Sequence, residues 1–338
     1  MNNITIKDVA KETGLSTATV SYAINGKKSL PEETLKIVFD AIEKLGYVKN
    51  YSASSLAGNT SNLIGVVIPQ TEPGKAMVFE NPFYSEILSS IEYNARQKGY
   101  HVIVSGTNAD EKYFNLANQR NLDGIIIIGV YSADFYEGLK KSNIPIVLVD
   151  SYLNTHNYDL VKLDDYLGGY KATRYLIDHG HKKIAFISGT LKEGGVNVAR
   201  FDGYKKALEE AGITFSQDLI LTGTIDFESG KTLAQRMIET MDNTAVFCTA
   251  DIMAIGILKK LNEMKISVPD DMSVIGFDNL NIANYCTPGL TTIGQDIFKK
   301  GQKAVDLLYK AIKSDESKKV NEIILPIDIV ERESVRSI

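Results

Sequence analysis

Apolar residues in the first part of the chain recur at the spacing of two short helices. Within residues 5–25, Ile6 and Val9 share one helical face, and Val20 and Ile24 share another further on. A glycine lies between the two sets, and glycine tolerates the positive φ of a tight turn better than other residues. The pattern predicts a helix–turn–helix hairpin.

A third helix is predicted by the residues that follow. Pro31 and Glu33 suit its first turn, because proline loses no hydrogen bond there and an acid interacts favourably with the helix dipole. The predicted buried stripe comprises Leu35, Val38, Ile42 and Leu45, and Gly46 ends the helix.

After residue 62 the pattern changes to short apolar runs that alternate with amphipathic segments. The runs are LIGVVIP, HVIVSG, GIIIIGV, PIVLVD, KIAFISG, AVFCTA and SVIGF. Strands of this kind, separated by helices such as SEILSSIEYNARQKG, indicate parallel sheets covered on both faces. The predicted fold class is therefore α/β, with a three-helix head followed by a doubly wound domain of two lobes.

The outward positions of the hairpin carry short or flat side chains, which can enter the major groove of DNA. Thr5 and Ser16 are expected to cap the two helices. An ordinary helical hairpin is the alternative, because helix pairs with a glycine turn are common. If the hairpin binds DNA, the expected contacts are Thr5, Ser16, Thr17, Ala18, Thr19, Ser21, Tyr22 and Asn25.

The segment between the third helix and the first strand favours the DNA-binding interpretation. Residues 50–57 begin with a capping asparagine, contain small residues and one large apolar residue, Leu56, and precede Gly58. This order resembles the LacI–GalR family of bacterial transcriptional repressors, which includes the lactose, galactose and purine repressors. Further blocks in family order are NPFYSEILSSIEYNARQKGY, LDGIIII, GGYKATRYLIDHGHKKIAFISG, ARFDGYKKALEEAGI, DFESG, AVFCTADIMAIG, VPDDMSVIGFDN and LTTIGQD.

The resemblance implies three parts. These are a DNA-binding head at 1–48, a hinge helix at 49–60, and an effector-binding and dimerisation domain at 61–338. In the family the hinge helix pairs with its copy from a second subunit and inserts its leucine into the minor groove. Two turns are too short to be stable alone, so we expect the hinge to form only on DNA. Its expected contacts are Asn50, Ala53 and Leu56.

Similarity to the periplasmic sugar-binding fold implies that the chain crosses between the two lobes three times. The expected crossings are near 163–167, 288–292 and 322–326. The N-terminal lobe would then comprise about 61–163 and 292–322, and the C-terminal lobe about 164–291 and 323–338.

Polar and aromatic residues follow several predicted strands, where open α/β sheets bind their ligands. Carboxylates and a guanidinium can bind neighbouring hydroxyls, and an aromatic face can cover the apolar side of a sugar ring. In the family, the positions matching Arg200, Phe227 and Asp278 contact the effector. The full expected set is Phe83, Tyr84, Asp150, Arg200, Phe227, Asp251, Asp278 and Gln295. Taken singly, an aspartate is more often a helix cap and Phe227 more often a core residue.

Two positions depart from the pattern of many family members. Ala250 stands where they have asparagine, so the effector either lacks one hydroxyl or uses a neighbour such as Thr249. Tyr22 stands where sugar-responsive members often have arginine, and no arginine precedes Arg96. The bidentate contact of arginine with guanine is therefore unavailable to the second helix.

The charge of the head favours a dimer on DNA. Residues 1–60 contain seven lysines and six acidic residues, a net charge of +1, which leaves −6 for the rest of a chain of net charge −5. A head so weakly basic neutralises few phosphates, and two heads double the contacts. We therefore expect a homodimer on a pseudo-palindromic operator.

Other features of the sequence argue against secretion, membrane insertion and catalysis. The chain has no N-terminal apolar region and no long uncharged apolar stretch, and Cys248 and Cys286 resemble reduced thiols of a cytoplasmic protein. It has no GxGxxG, GKS, GKT or GxSxG motif, so no enzyme and no cofactor are expected. His179 and His181 lack further ligands, so no metal is expected either.

The expected function is repression of a carbohydrate-use operon, controlled by a sugar in the cleft. A purine is the alternative effector, because aromatic residues can stack on a nucleobase as well as on a sugar. A transport-type sugar-binding protein would share residues 62–338 but would need a signal peptide in place of the hairpin.

Overall fold

The computed structural model divides the chain into two units, Met1–Ser61 and Asn62–Ile338, and each is described by itself. The predicted hinge contacts Asn50, Ala53 and Leu56 lie outside the described residues. The described residues are 4–25, 30–47, 60–69, 81–107, 121–130, 133–140, 144–152, 158–314 and 320–338.

The first unit contains the three predicted helices: α1 (Ile6–Thr13), α2 (Thr17–Asn25) and α3 (Glu32–Leu45). The expected turn is present, with Gly14 at a φ of 68°. Thr5 caps α1, and its backbone N donates to the Asp8 carboxylate at 2.8 Å. The core of the unit consists of Val9, Ala10, Val20, Ala23, Val38 and Ala41.

The second unit consists of alternating strands and helices. Its strands are β1 (Leu63–Pro69), β2 (His101–Thr107), β3 (Gly124–Ile128), β4 (Ile146–Val149), β5 (Asp159–Leu163), β6 (Ile184–Gly189), β7 (Ile220–Gly223), β8 (Ala245–Cys248), β9 (Ser273–Asp278), β10 (Thr291–Gln295), β11 (Glu322–Leu325) and β12 (Ile327–Val330). Its α-helices within the described ranges are α4 (Pro82–Gln97), α5 (Ala133–Lys140), α6 (Asp165–Asp178), α7 (Val196–Glu210), α8 (Phe227–Thr240), α9 (Asp251–Glu263) and α10 (Ile297–Lys313).

These strands form two six-stranded sheets, one in each lobe. The order is β11–β5–β4–β3–β1–β2 in the first sheet and β12–β10–β9–β8–β6–β7 in the second. The first sheet is parallel throughout, and in the second only the pair β10–β12 is antiparallel. Continuous apolar runs such as β3 are buried at every residue, because helices cover both faces of a parallel sheet. The predicted doubly wound architecture of two lobes is confirmed.

The chain crosses between the lobes three times, and the second crossing lies outside its expected range. The chain leaves the first sheet after Leu163, as expected, but β10 belongs to the second sheet, so the second crossing follows Gln295 rather than residue 291. β11 belongs to the first sheet and β12 to the second, so the third crossing lies at Pro326, within the expected range 322–326. The expected lobe boundary was wrong, because residues 323–325 of β11 belong to the N-terminal lobe and not to the C-terminal one. The short runs TTIGQ and EIIL do not reveal their partner strands, because pairing is a long-range property.

Close contact between α6 and α7 depends on two glycines. A Cβ at Gly169 would lie 2.0 Å from the carbonyl oxygen of Arg200, and a Cβ at Gly203 would lie 2.1 Å from that of Tyr166. Since both obstacles are backbone atoms, the helices would have to separate to accommodate any side chain. In the part of the unit that the structure describes, no helix is long and apolar enough to span a membrane.

We expect Gly203→Ala to destabilise the second unit by about 1–3 kcal/mol, because the added methyl group overpacks the α6–α7 contact. The urea unfolding midpoint measures this change. Glu209→Ala, on the exposed face of α7, is the control and should stay within about 0.5 kcal/mol of the parent protein. Equal midpoints for the two variants would contradict the packing argument.

Candidate functional site: an interlobe cavity

A cavity of about 230 Å³ lies where the carboxyl ends of strands from both sheets meet. This is the position at which open α/β sheets bind ligands. Six of the eight predicted effector residues line it: Phe83, Tyr84, Asp150, Arg200, Asp278 and Gln295. A cavity that collects charged, amide and aromatic side chains suits one small polar molecule.

Asp278 and Gln295 come from the ends of β9 and β10. The Gln295 amide nitrogen donates to Asp278 Oδ1 at 2.6 Å, and both residues are buried. Asp278 has a φ of 116°, a strained conformation for a non-glycine residue that is typical of functional sites. Burial raises the pKa of Asp278 to about 7, although the Arg200 guanidinium and the Gln295 amide favour the carboxylate.

Arg200 lies in the first turns of α7 and is fixed by several contacts. Its Nε donates to Asp165 Oδ1 at 2.8 Å, and its Nη1 donates to the Thr249 carbonyl at 2.5 Å. The guanidinium carbon lies 3.5 Å from the centre of the Phe277 ring. These contacts hold the guanidinium rigidly at the cavity wall.

Asp150 follows β4 and pairs with a lysine that the sequence analysis missed. Lys300, in α10, places its ammonium 2.7 and 2.8 Å from the two Asp150 carboxylate oxygens. Burial raises the pKa of Asp150, and the Lys300 ammonium opposes this shift. The available signal was a lysine on the buried face of an amphipathic helix, between Ile297 and Ala304.

Phe83 and Tyr84 occupy the first turn of α4, where the Asn81 side chain accepts from the Phe83 backbone N at 3.0 Å. The two rings meet edge to face with centroids 5.4 Å apart. Both line the cavity, and together they form an aromatic wall on the side of the first lobe.

Two predicted effector residues do not line the cavity. Asp251 is fully buried, and its carboxylate accepts from the Leu280 backbone N at 2.9 Å and from Thr292 Oγ1 at 2.7 Å. It therefore ties the start of α9 to the neighbouring loop and strand. Phe227 opens α8 and packs against the core, with the Lys231 ammonium 5.8 Å from its ring centre. Sequence position placed both residues near a strand end but could not give their side-chain directions.

Further residues line the cavity, and of Thr249, Asn197 and Lys192 only Thr249 was named from the sequence. Thr249, proposed as a substitute for the missing asparagine, lines the cavity beside Ala250, and its hydroxyl lies 3.2 Å from Asn197 Oδ1. Asn197 and Lys192 come from α7 and from the loop before it. Asn197 occupies a helix start, where asparagine is too common to indicate a ligand.

In the first unit, the predicted DNA contacts lie at the N-cap of α1 and from Ser16 to the end of α2. Ser16 Oγ accepts from the Thr19 backbone N at 3.1 Å and so caps the helix. Tyr22 is 41% exposed, and Ser21 is half-buried. Asn25 is the last residue of α2. Thr5, Ser16, Thr17 and Ala18 are also exposed.

Over the described ranges, no three histidine, cysteine, aspartate or glutamate side chains are grouped to hold a metal ion. Cys248 and Cys286 are free thiols, and burial raises the pKa of Cys248 to about 12. At neutral pH the Cys248 thiol is therefore protonated and unreactive.

Comparison with known proteins agrees with both units. Residues 5–50 match the bacterial regulatory proteins of the lacI family, and residues 173–335 match the periplasmic binding protein-like domain. The chain is 36% identical over 341 residues to the HTH-type transcriptional repressor PurR of Histophilus somni (strain 2336), and the match covers 99% of each chain.

Solved structures give the same result. The lac repressor dimer bound to operator and the anti-inducer ONPF is 26% identical, with a TM-score of 0.86 over 99% of this chain and 100% of that one. The complex of the transcriptional regulator CelR with cellobiose is 26% identical, with a TM-score of 0.73 over 98% and 99%. The chain therefore belongs to the LacI family and is a DNA-binding transcriptional repressor.

Proposed function

We propose that this repressor is a homodimer that binds a pseudo-palindromic operator and is controlled by a sugar in the interlobe cavity. The observation that carries the effector assignment is the convergence of Asp150, Asp278, Arg200 and Gln295 on one cavity. Carboxylates, an amide and a guanidinium match the alternating donors and acceptors of neighbouring sugar hydroxyls.

The acidic lining of the cavity favours a sugar over a purine, because carboxylates suit hydroxyl groups better than they suit ring nitrogens. Phe227 does not line the cavity, and among the described residues its aromatic lining consists of Phe83 and Tyr84. An aromatic wall on one side suits the apolar face of a sugar ring. The structural relative CelR was solved with cellobiose, which agrees with this assignment. A purine is the second candidate, and the relatives favour it over a sugar, because those that match 99% of this chain at 35–36% identity carry the name PurR.

The proposed mechanism couples the cavity to the DNA through the dimer. A ligand that contacts both lobes stabilises one relative position of the lobes, and its differential affinity for two states shifts the equilibrium between them. The segment 49–60 is proposed as the hinge that reports this change to the operator. Two heads of net charge +1 bind more tightly together than singly, so any change in their spacing alters operator affinity.

We expect one uncharged sugar to raise the midpoint of thermal unfolding in a panel of sugars, sugar phosphates and purines. At about 100 times its dissociation constant, a ligand specific for the folded state adds about 2.7 kcal/mol. Asp278→Ala should abolish the shift, and Asp202→Ala, an exposed carboxylate on α7, should leave it unchanged. A shift from a purine alone would instead establish the second candidate, and no shift from any compound would contradict the proposal.

We expect the affinity for that sugar to rise with pH between 6 and 8. Because the folded-state pKa of Asp278 is about 7, its carboxyl is mostly protonated at pH 6. Only above pH 7 is it mostly ionised and able to accept hydrogen bonds from sugar hydroxyls with both oxygens. The ionised fraction changes about tenfold over this interval, so the affinity should change by up to the same factor. Calorimetric titration at three pH values measures it. Asp278→Asn should bind the sugar weakly and lose the pH dependence of affinity. If the pH dependence remained in this variant, Asp278 would not be its origin.

We expect Tyr22→Arg to change the preferred operator base pair that faces position 22. An arginine there gains a bidentate contact with guanine worth about 1–3 kcal/mol of discrimination, whereas tyrosine offers one hydroxyl and a ring face for a thymine methyl. Selection of bound sequences from a random DNA library measures the preference. Lys11→Arg, which adds an arginine outside α2, is the control. An unchanged base preference would show that Tyr22 does not face a base.

A further inference from the structure

The buried ion pair between Lys300 and Asp150 connects α10 to the cavity. The Lys300 side chain is 0% exposed and does not line the cavity, whereas Asp150 does. The ammonium contacts both Asp150 oxygens, at 2.7 and 2.8 Å. Lys300 therefore acts on a ligand only through Asp150, by fixing the orientation and charge of its carboxylate.

Hydrogen-bond acceptors dominate the part of the cavity wall that Asp150, Asp278 and Gln295 form. Gln295 is 7% exposed, and its Nε2 donates a hydrogen bond to Asp278. Within the described part of the chain, Gln295 Oε1 is buried without a hydrogen-bond partner. A buried unpaired acceptor is costly and indicates that a ligand donor completes the site. Asp150 presents the same preference, because each carboxylate oxygen keeps a lone pair after binding Lys300.

Among the charged donors of the cavity, Arg200 is largely engaged. Arg200 binds Asp165 through Nε and Nη2 and the Thr249 carbonyl through Nη1, which leaves only part of its donor capacity for a ligand. Lys192 is exposed and lies at the edge of the cavity. An anionic group placed among Asp150, Asp278 and Gln295 would meet the Asp150 carboxylate, the Asp278 carboxyl, which is partly ionised at neutral pH, and the Gln295 amide oxygen. A hydroxyl or amine group placed there would satisfy them.

We propose that Lys300 is a positioning residue of the effector site, which holds Asp150 as an ionised acceptor and so selects an uncharged or amino sugar over a phosphorylated one. This inference rests on the proposed role of the cavity as a sugar site. The inference goes beyond that role because it specifies the charge of the ligand and names a residue, Lys300, that sets the preference without contacting the ligand.

The charge environment explains why the lysine is needed. Burial and the neighbouring Asp165 both favour the protonated form of Asp150, and the Lys300 ammonium is the largest influence that opposes them. Without Lys300 the Asp150 carboxyl would retain a proton at higher pH and would donate rather than accept. The charged or titratable groups that face Asp150 are Lys300, Arg200, Asp165, Asp278, Tyr84 and Tyr152.

The test compares Lys300→Met with Lys299→Met, which removes an exposed lysine from the adjacent position of α10. The probes are glucose, galactose, fructose and ribose, their phosphate monoesters, and glucosamine, titrated by calorimetry into the full-length protein. The parent protein should bind an uncharged or amino sugar about tenfold or more tightly than the matching phosphate. Lys300→Met should weaken that binding by about 10- to 100-fold, and Lys299→Met should not change it.

The pH profile separates positioning from a loss of structure. In Lys300→Met the affinity for the sugar should rise more steeply with pH than in the parent protein, because Asp150 must also lose a proton. The double substitution Lys300→Met with Asp150→Asn leaves no unpaired charge, so it keeps the fold if Lys300→Met alone does not. It should bind the sugar weakly without the added pH dependence.

Three results would overturn the inference. A preference of the parent protein for a phosphate monoester would refute the charge class while leaving a sugar-type effector site in place. If a folded Lys300→Met variant had the same affinity and pH profile as the parent protein, Lys300 would have no role in the site. Binding of none of the probes would refute the sugar assignment of the cavity, and the inference with it.

Discussion

Burial of charge between the two lobes is the constraint on which the rest of the site depends. Asp150, Asp165, Asp278, Arg200 and Lys300 are all withdrawn from water where the two sheets meet. An isolated buried charge costs several kcal/mol, so each must have partners held at fixed geometry. The pairs Arg200–Asp165 and Lys300–Asp150 supply these partners for four of the groups, and the Gln295 amide donates to the fifth, Asp278. The cavity lies among these paired groups. A ligand bound there would have to form hydrogen bonds with the polar atoms that remain without a partner, such as Gln295 Oε1.

The fold provides the geometry for this network through close backbone approaches. Asp165 begins α6 and Arg200 lies on α7, and Gly169 allows the two helices to touch at the carbonyl of Arg200. The same helix contact that stabilises the C-terminal lobe therefore sets the distance between guanidinium and carboxylate. Lys300 is similarly held because Gly301 brings α10 against Ser90 of α4, the helix whose first turn carries Phe83 and Tyr84. Packing and the proposed ligand site consequently share residues.

The DNA-binding unit follows a different principle. Its core is small, its net charge is low, and its exposed second helix offers hydroxyls and a tyrosine rather than arginines. Such a head gains little from phosphate neutralisation, so its affinity depends on being presented in pairs. This makes a weak head suitable for control, since small changes in the presentation of two heads change operator occupancy.

The amino-acid sequence by itself determined the three-helix head, the α/β class, the two lobes, the family, and six of the eight predicted cavity residues. The head, the α/β class and the two lobes follow from local periodicity and from capping and turn chemistry. The family and the cavity residues follow from the resemblance of the sequence blocks to the LacI–GalR family and from the rule that ligands bind at strand ends. Tertiary structure alone decided that β10 joins the second sheet and β11 the first. It also decided that the Asp251 carboxylate accepts hydrogen bonds from Leu280 and Thr292, and that Phe227 packs against the core instead of lining the cavity. It also brought Lys300 to Asp150 across 150 residues of chain. The physical reason is that strand pairing and side-chain direction depend on partners distant in sequence, about which local patterns carry no information.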